Sequence, residues 1–193
     1  MKTASLIILA LLVPLGVTSC ETSPAPPREL SFVHASPILL NVGTAEIDSK
    51  YHSSSSPPNI EGTVTPSPEG ALIRWAQQRL RSVGTQNVAR FTVLNAPLTA
   101  ETLPASSALS GVFGSAPGQR WTVTLEAQIE IFDDSGSRLD GYSAKVSRTR
   151  DMEGGLTYEE RNRRWFEMLS ATMNEFDSQM ESGLRQYAGS WLR

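Results

Sequence analysis

The sequence predicts an α+β domain in which a four-stranded, largely antiparallel sheet carries two helices on one face, in the order β-α-β-β-β-α, behind an N-terminal signal peptide. Three observations lead there. A strict apolar alternation runs from Trp121 to Ile131, a long 3.6-residue stripe runs from Trp165 to Trp191, and a short apolar run opens the chain. Two helices cannot cover both faces of a sheet whose strands alternate cleanly between apolar and polar, so they share one face and leave the other wet.

The elements follow in chain order. Ile38, Leu40 and Val42 start a strand whose apolar phase moves to Ala45 and Ile47 across Gly43, which predicts a bulge. A helix is expected from Pro68 to Val83, with Leu72, Ala76, Leu80 and Val83 on its apolar face, Ser67 as cap, Pro68 in its first turn and Gly84 as its stop. Phe91 and Val93 lie on a shorter strand after Gly84. Trp121, Val123, Leu125, Ala127, Ile129 and Ile131 interleave with polar residues on the next strand. Asp133-Asp134-Ser135-Gly136 supplies turn chemistry, and Tyr142, Ala144 and Val146 face inward on the returning strand of a hairpin. The last helix begins at Thr157, where Thr157 and Glu160 make a capping box, and Trp165, Leu169, Met173, Phe176, Met180, Leu184, Tyr187 and Trp191 form its apolar stripe. That stripe suits packing on the sheet better than lying on anionic lipid, because Glu167, Asn174, Glu175 and Asp177 occupy the opposite side.

The chain has 193 residues, a formal charge of -3 and 39% hydrophobic residues, enough for one core. Its mild acidity argues against nonspecific nucleic-acid binding, which rests on Lys and Arg neutralising phosphates. The 14 arginines against 3 lysines decide nothing about function. Segments 53–68 and 104–118, rich in Ser, Pro, Ala and Gly, are expected to be loops.

The N-terminus carries Lys2, an apolar run from Leu6 to Val13, then Pro14, Gly16 and Val17-Thr18-Ser19-Cys20. The run is shorter than the roughly 20 residues needed to span a bilayer core, so it is a cleaved signal rather than a permanent anchor. Val17 to Cys20 resembles the lipobox of bacterial lipoproteins, which implies that the Cys20 thiol is alkylated by diacylglycerol and becomes the first mature residue. Cys20 is the sole cysteine, so no disulfide forms within one chain, and lipidation removes a thiol that would be a liability in an oxidising compartment. Several acyl chains anchor stably where one is marginal. Glu21 follows, where Asp would be the familiar inner-membrane retention signal of the lipoproteins it resembles, so the resemblance favours the outer membrane. The expected organisation is a signal peptide over residues 1–19, a lipidated Cys and Pro-rich tether over 20–37, and one α+β domain over 38–193. Cleavage leaves 174 residues with a formal charge of -4.

The catalytic and metal searches name no residue. His34 and His52 are the two histidines, both in expected loops and outside any motif. Ser53 to Ser56 beside His52 lacks the rigid elbow and oriented base of a nucleophile. Asp133 to Ser137 faintly resembles an acidic calcium loop but lacks its downstream bidentate Glu, and a hairpin turn accounts for it. Gly111, Gly114 and Gly118 bracket Val112-Phe113 without a following Lys-Ser or Lys-Thr, which leaves a loop with an apolar tip. Arg148, Arg150, Arg161, Arg163 and Arg164 could form a basic rim for phosphate groups, although Glu159 and Glu160 offset it. No cofactor is expected.

With its lipobox, Pro-rich tether and element order, the chain resembles small periplasmic accessory lipoproteins of Gram-negative envelopes, either the lipopolysaccharide-assembly lipoprotein or the auxiliary lipoproteins of ABC-type lipid transport. The Tyr-x-Leu segment that often follows the cysteine in the second group is absent. The resemblance implies a non-enzymatic, membrane-anchored binding or assembly accessory, held to the membrane by lipid and docking an envelope protein partner, with no nucleic acid. A periplasmic small-ligand or lipid-binding protein and a cell-envelope enzyme stand as alternatives.

Overall fold

One strand organises the sheet. In a computed structural model, which describes residues 29–104 and 117–193, β6 (Gln119–Phe132) buries every second side chain from Trp121 to Ile131 and leaves the alternate row partly exposed. Along one side runs β7 (Arg138–Met152), antiparallel over its whole length and joined to it through the expected turn, where Gly136 adopts φ +84°. Along the other side lie β4 (Val88–Asn95) and β5 (Leu98–Thr102) end to end. β4 pairs with the C-terminal half of β6 and β5 with the N-terminal half, and a bulge falls between Val93 and Asn95. Outside β4, β2 (Thr44–Ser49) runs parallel to it.

The expected sheet of four largely antiparallel strands is therefore corrected to a mixed five-stranded sheet, accompanied by a separate parallel pair, β1 (Ile38–Leu40) and β3 (Leu80–Ser82). Three local causes account for the difference. Gly43 does not bulge a single strand; it ends one and begins another, its N–H donating to the carbonyls of Gln86 and Asn87 at 2.7 and 3.0 Å. The first helix, α1 (Pro68–Arg79), stops four residues early because Leu80–Ser82 leaves helical geometry to pair with β1. Leu80 stays buried by that route, whereas Val83, expected on the apolar face, is 50% exposed. Gly84 serves a different purpose from a helix stop, since a Cβ there would lie 2.7 Å from the Asn41 carbonyl carbon and the Val42 nitrogen. The two crossing chain segments touch only because it has none. Finally, β5 was masked in the sequence by Ala96-Pro97, where the Pro97 carbonyl nevertheless accepts from the Thr124 N–H at 3.1 Å.

The second helix, α2 (Tyr158–Tyr187), starts at the expected capping box: Thr157 Oγ1 accepts from the Glu160 N–H, and the Glu160 carboxylate accepts from the Thr157 N–H. Trp165, Leu169, Met173, Phe176, Met180 and Leu184 are all buried. The stripe ends there. Tyr187 is exposed, its ring stacked on Tyr142, and Trp191 lies beyond the helix in a 3-10 turn. Its carbonyl accepts from the Asn41 N–H, and Leu192 bridges to Leu40, so the C-terminal residues close the free edge of β1.

Both helices cover the same face. Phe91 and Trp121 lie on inward rows of β4 and β6, and they meet Trp75 of α1 and Trp165 of α2 at ring-centre distances of 5.5 and 6.4 Å. Trp75 also meets Phe176 edge-on at 5.3 Å, closing a three-ring cluster between the helices and the sheet. Leu30 and Phe32 pack into this core and the Phe32 N–H donates to Gln78 Oε1, so the folded body includes residues N-terminal to position 38.

Because Phe176 is fully buried against Trp75, Phe176→Ala is expected to destabilise the protein by about 3–5 kcal/mol. Urea unfolding checks this, and an unchanged midpoint would show that α2 does not rely on its apolar stripe for packing.

Candidate functional site

A cleft of about 130 Å³ lies between the segment after β2, a 3-10 turn at Glu61–Thr63 and the first turn of α1. Tyr51, Ser53, Glu61, Ser67, Glu69 and Ala96 contribute to its walls. The sequence marked 53–68 as loop from its Ser and Pro content, and the structure shows why it is nevertheless fixed. The Ala100 N–H donates to the Pro58 carbonyl and the Ile60 N–H to the Leu98 carbonyl, so residues 58–60 cover the edge of β5 that β2 does not reach. Glu61 follows directly and is carried inside.

Glu61 is only 4% exposed. Its Oε1 accepts from the Tyr51 hydroxyl at 2.7 Å and from the Ser54 N–H at 2.9 Å, while its Oε2, also buried, has no hydrogen-bond donor. Burial pushes the Glu61 carboxyl up, but the Tyr51 hydroxyl and the backbone N–H groups of Glu61, Ser54 and Leu98 outweigh it and hold the group below its ordinary 4.5. Tyr51 moves the other way: burial, its bond to Glu61 and the charges of Glu61 and Glu69 raise the phenol and keep it protonated. Opposite, the Ser49 hydroxyl donates to Glu69 Oε1 at 2.6 Å, tying the end of β2 to the start of α1, where Ser67 Oγ accepts from the Gly70 N–H as expected. Neither Tyr51 nor Glu61 stood out in the sequence.

The residues weighed from sequence distribute elsewhere. Cys20 lies outside the described residues, as do Gly111, Val112, Phe113 and Gly114. His34 is exposed, and His52 is exposed with its Nδ1 3.1 Å from the Lys50 carbonyl. Asp133 Oδ1 accepts from the Ser135 and Ser137 N–H groups and the Ser135 hydroxyl, so the acidic loop is a hairpin turn whose carboxylate is occupied by its own backbone. Of the arginine rim, Arg148, Arg150 and Arg164 pair with Glu175, Glu167 and Glu153. Among the described residues no group of three His, Cys, Asp or Glu side chains is placed to hold a metal, and no helix is long and apolar enough to cross a membrane.

The outward face of the sheet is polar and internally paired. Arg90 bonds Glu46 and lies over the Phe132 ring, Arg138 bonds Glu130, Lys145 bonds Glu126, and Arg120 grips Asp151 with two hydrogen bonds. Thr122 meets Thr149 and Thr124 meets Ser147 across the β6–β7 ladder.

No family model matches the chain, and no curated protein matches it. Two solved structures align with 79% of it: a minor lipoprotein from Acinetobacter baumannii, at 11% identity over 96% of that chain with a TM-score of 0.36, and a Xanthomonas campestris protein of the DUF330 family, at 12% identity over 91% of that chain with a TM-score of 0.34. Likenesses of this degree carry no functional argument.

Since the folded-state Glu61 carboxyl titrates below its unfolded value, it stabilises the fold above about pH 4.5 and that contribution is lost as pH falls through the folded value. The difference in unfolding free energy between the native protein and Glu61→Gln, measured between neutral pH and about pH 3, should shrink on acidification. A constant difference would contradict the charged, hydrogen-bonded state of Glu61.

Proposed function

We propose that the chain is a lipid-anchored accessory of the Gram-negative cell envelope, held at the outer membrane through Cys20, facing the periplasm, and acting without catalysis by docking an envelope protein partner. The observation that carries this reading is the segment Val17 to Cys20 behind a short apolar run, in a chain with no other cysteine. The polar outer face of the sheet supports docking over lipid transport, as does the filled interface between α2 and the sheet, where Trp165, Leu169, Met173 and Phe176 occupy the space an acyl chain would need.

In the native host, the mature protein should begin at Cys20 carrying acyl groups, and Cys20→Ala should leave the precursor uncleaved and unlipidated. Mass spectrometry of protein extracted from membranes reads this directly; an unmodified Cys20 would overturn the anchor. A deletion strain should show raised permeability to large hydrophobic antibiotics, rescued by the native gene and not by Cys20→Ala, whereas unaltered permeability would overturn the envelope role.

A further inference from the structure

A lipid on Cys20 restricts which side of the domain meets the membrane. From Cys20 to Glu29 the chain makes nine residue steps, and whatever course they take they span at most about 30 Å. The residues that follow are docked at once. Glu29 bonds Arg74 at 3.0 Å, the Phe32 N–H donates to Gln78 Oε1 at 2.6 Å, and Leu30 and Phe32 bury their side chains. Arg74 and Gln78, four residues apart, share one side of α1, opposite Leu72 and Ala76, which are fully buried. The chain therefore enters the folded body on the outer side of the helix layer, the side turned away from the wet face of the sheet.

We propose that the exposed side of α1, with the turn at Phe32–Ala35 and Arg81, rests on the anionic head groups of the membrane that holds Cys20, and that the outer face of the sheet points away from it. The proposal rests on the lipidation of Cys20 proposed above. Laying the sheet face on lipid instead would take the tether past both layers, about 20 Å deep, and round the flank of α1, about another 5 Å. That course uses nearly the whole contour and forfeits the conformational freedom of every residue in it, whereas the helix side asks for no stretching. The surfaces differ in the same sense. Val33, in the turn closed by the Ala35 N–H on the Phe32 carbonyl, is 62% exposed and offers an apolar contact beside the tether. Arg81 is exposed and donates to the Gln77 and Leu80 carbonyls at 2.7 and 2.8 Å, and among the described residues it belongs to no ion pair within 4.0 Å. Its charge is available to a lipid phosphate. On the outer face of the sheet, by contrast, Arg90, Arg120, Arg138 and Lys145 are each compensated by a carboxylate.

Fluorescence quenching of the lipidated, full-length protein tests this in vesicles of phosphatidylethanolamine and phosphatidylglycerol that carry a nitroxide on the head group. Val33→Cys, Gln77→Cys, Ser143→Cys and Ser147→Cys each place one thiol at an exposed position, the first two on the helix side and the last two on the outer face of the sheet. Acylated Cys20 holds a thioether in place of its thiol, so each variant takes up a single thiol-reactive fluorophore. Quenching at Val33 and Gln77 is expected to be at least about threefold that at Ser143 and Ser147, because the two faces lie about 20 Å apart. A smaller contrast, or stronger quenching on the sheet face, would overturn the proposal. The native chain serves as the control for the anchor. If it takes up the fluorophore, Cys20 is a free thiol and the anchor fails together with the proposal; if it stays unlabelled while the four positions are quenched alike, the choice of face alone is wrong.

Discussion

A buried guanidinium joins the two helices. Arg79, at the last turn of α1, is 1% exposed, donates to Asp177 at 2.8 Å and also bonds Glu181, both on α2. Trp75, one turn earlier, donates its indole N–H to the same Asp177 at 2.6 Å while its ring packs on Phe176 and Phe91. Arginine cannot shed its charge, so a buried one must be paired, and losing one partner leaves an uncompensated charge in the interior. Asp177 and Glu181 are four residues apart on α2 and present their carboxylates together. The pairing therefore specifies which turn of α2 faces which end of α1, something an apolar stripe alone does only loosely.

The consequences run outward from both ends of α1. Beyond Arg79 the chain passes directly into β3, which pairs with β1, and β1 in turn receives the C-terminal residues at Leu192. At the other end, about 18 Å away for a 12-residue helix, Ser67 and Glu69 form one wall of the acidic cleft. The opposite wall, carrying Glu61, is fixed by hydrogen bonds to β5 rather than by α1. The spacing of the two carboxylates thus depends on how α1 is seated, and Arg79 seats it. The polar outer face of the sheet is separate from this linkage, because its charges are compensated strand to strand.

What was legible in the sequence is what local pattern encodes. The alternation from Trp121 to Ile131 gave the central strand and its hairpin, and Thr157 with Glu160 gave the start of α2, because in each case the partners lie within one strand pair or one helical turn. The failures share the opposite property. Leu80 to Ser82 continued the helical period of α1 until a strand 42 residues earlier in register, Ile38 to Leu40, offered a ladder instead. Arg79 carries no local mark of burial, since the carboxylates that pair with it come from 98 and 102 residues further along. Glu61 sat in a Ser- and Pro-rich stretch with no period, and only the pairing of residues 58–60 with β5 draws it inside. No local signal marks it. Cys20, conversely, is legible in sequence alone.

The dependence of the fold on the Arg79 pairing is tested most directly by a double-mutant cycle on Arg79→Met and Asp177→Asn, with urea unfolding as the readout. Each single substitution should cost about 3 kcal/mol, and the pair should be less destabilised than the sum of the two by about 2 kcal/mol. If the two effects add to within about 0.5 kcal/mol, the Arg79–Asp177 pair does not set the register of α1 on α2.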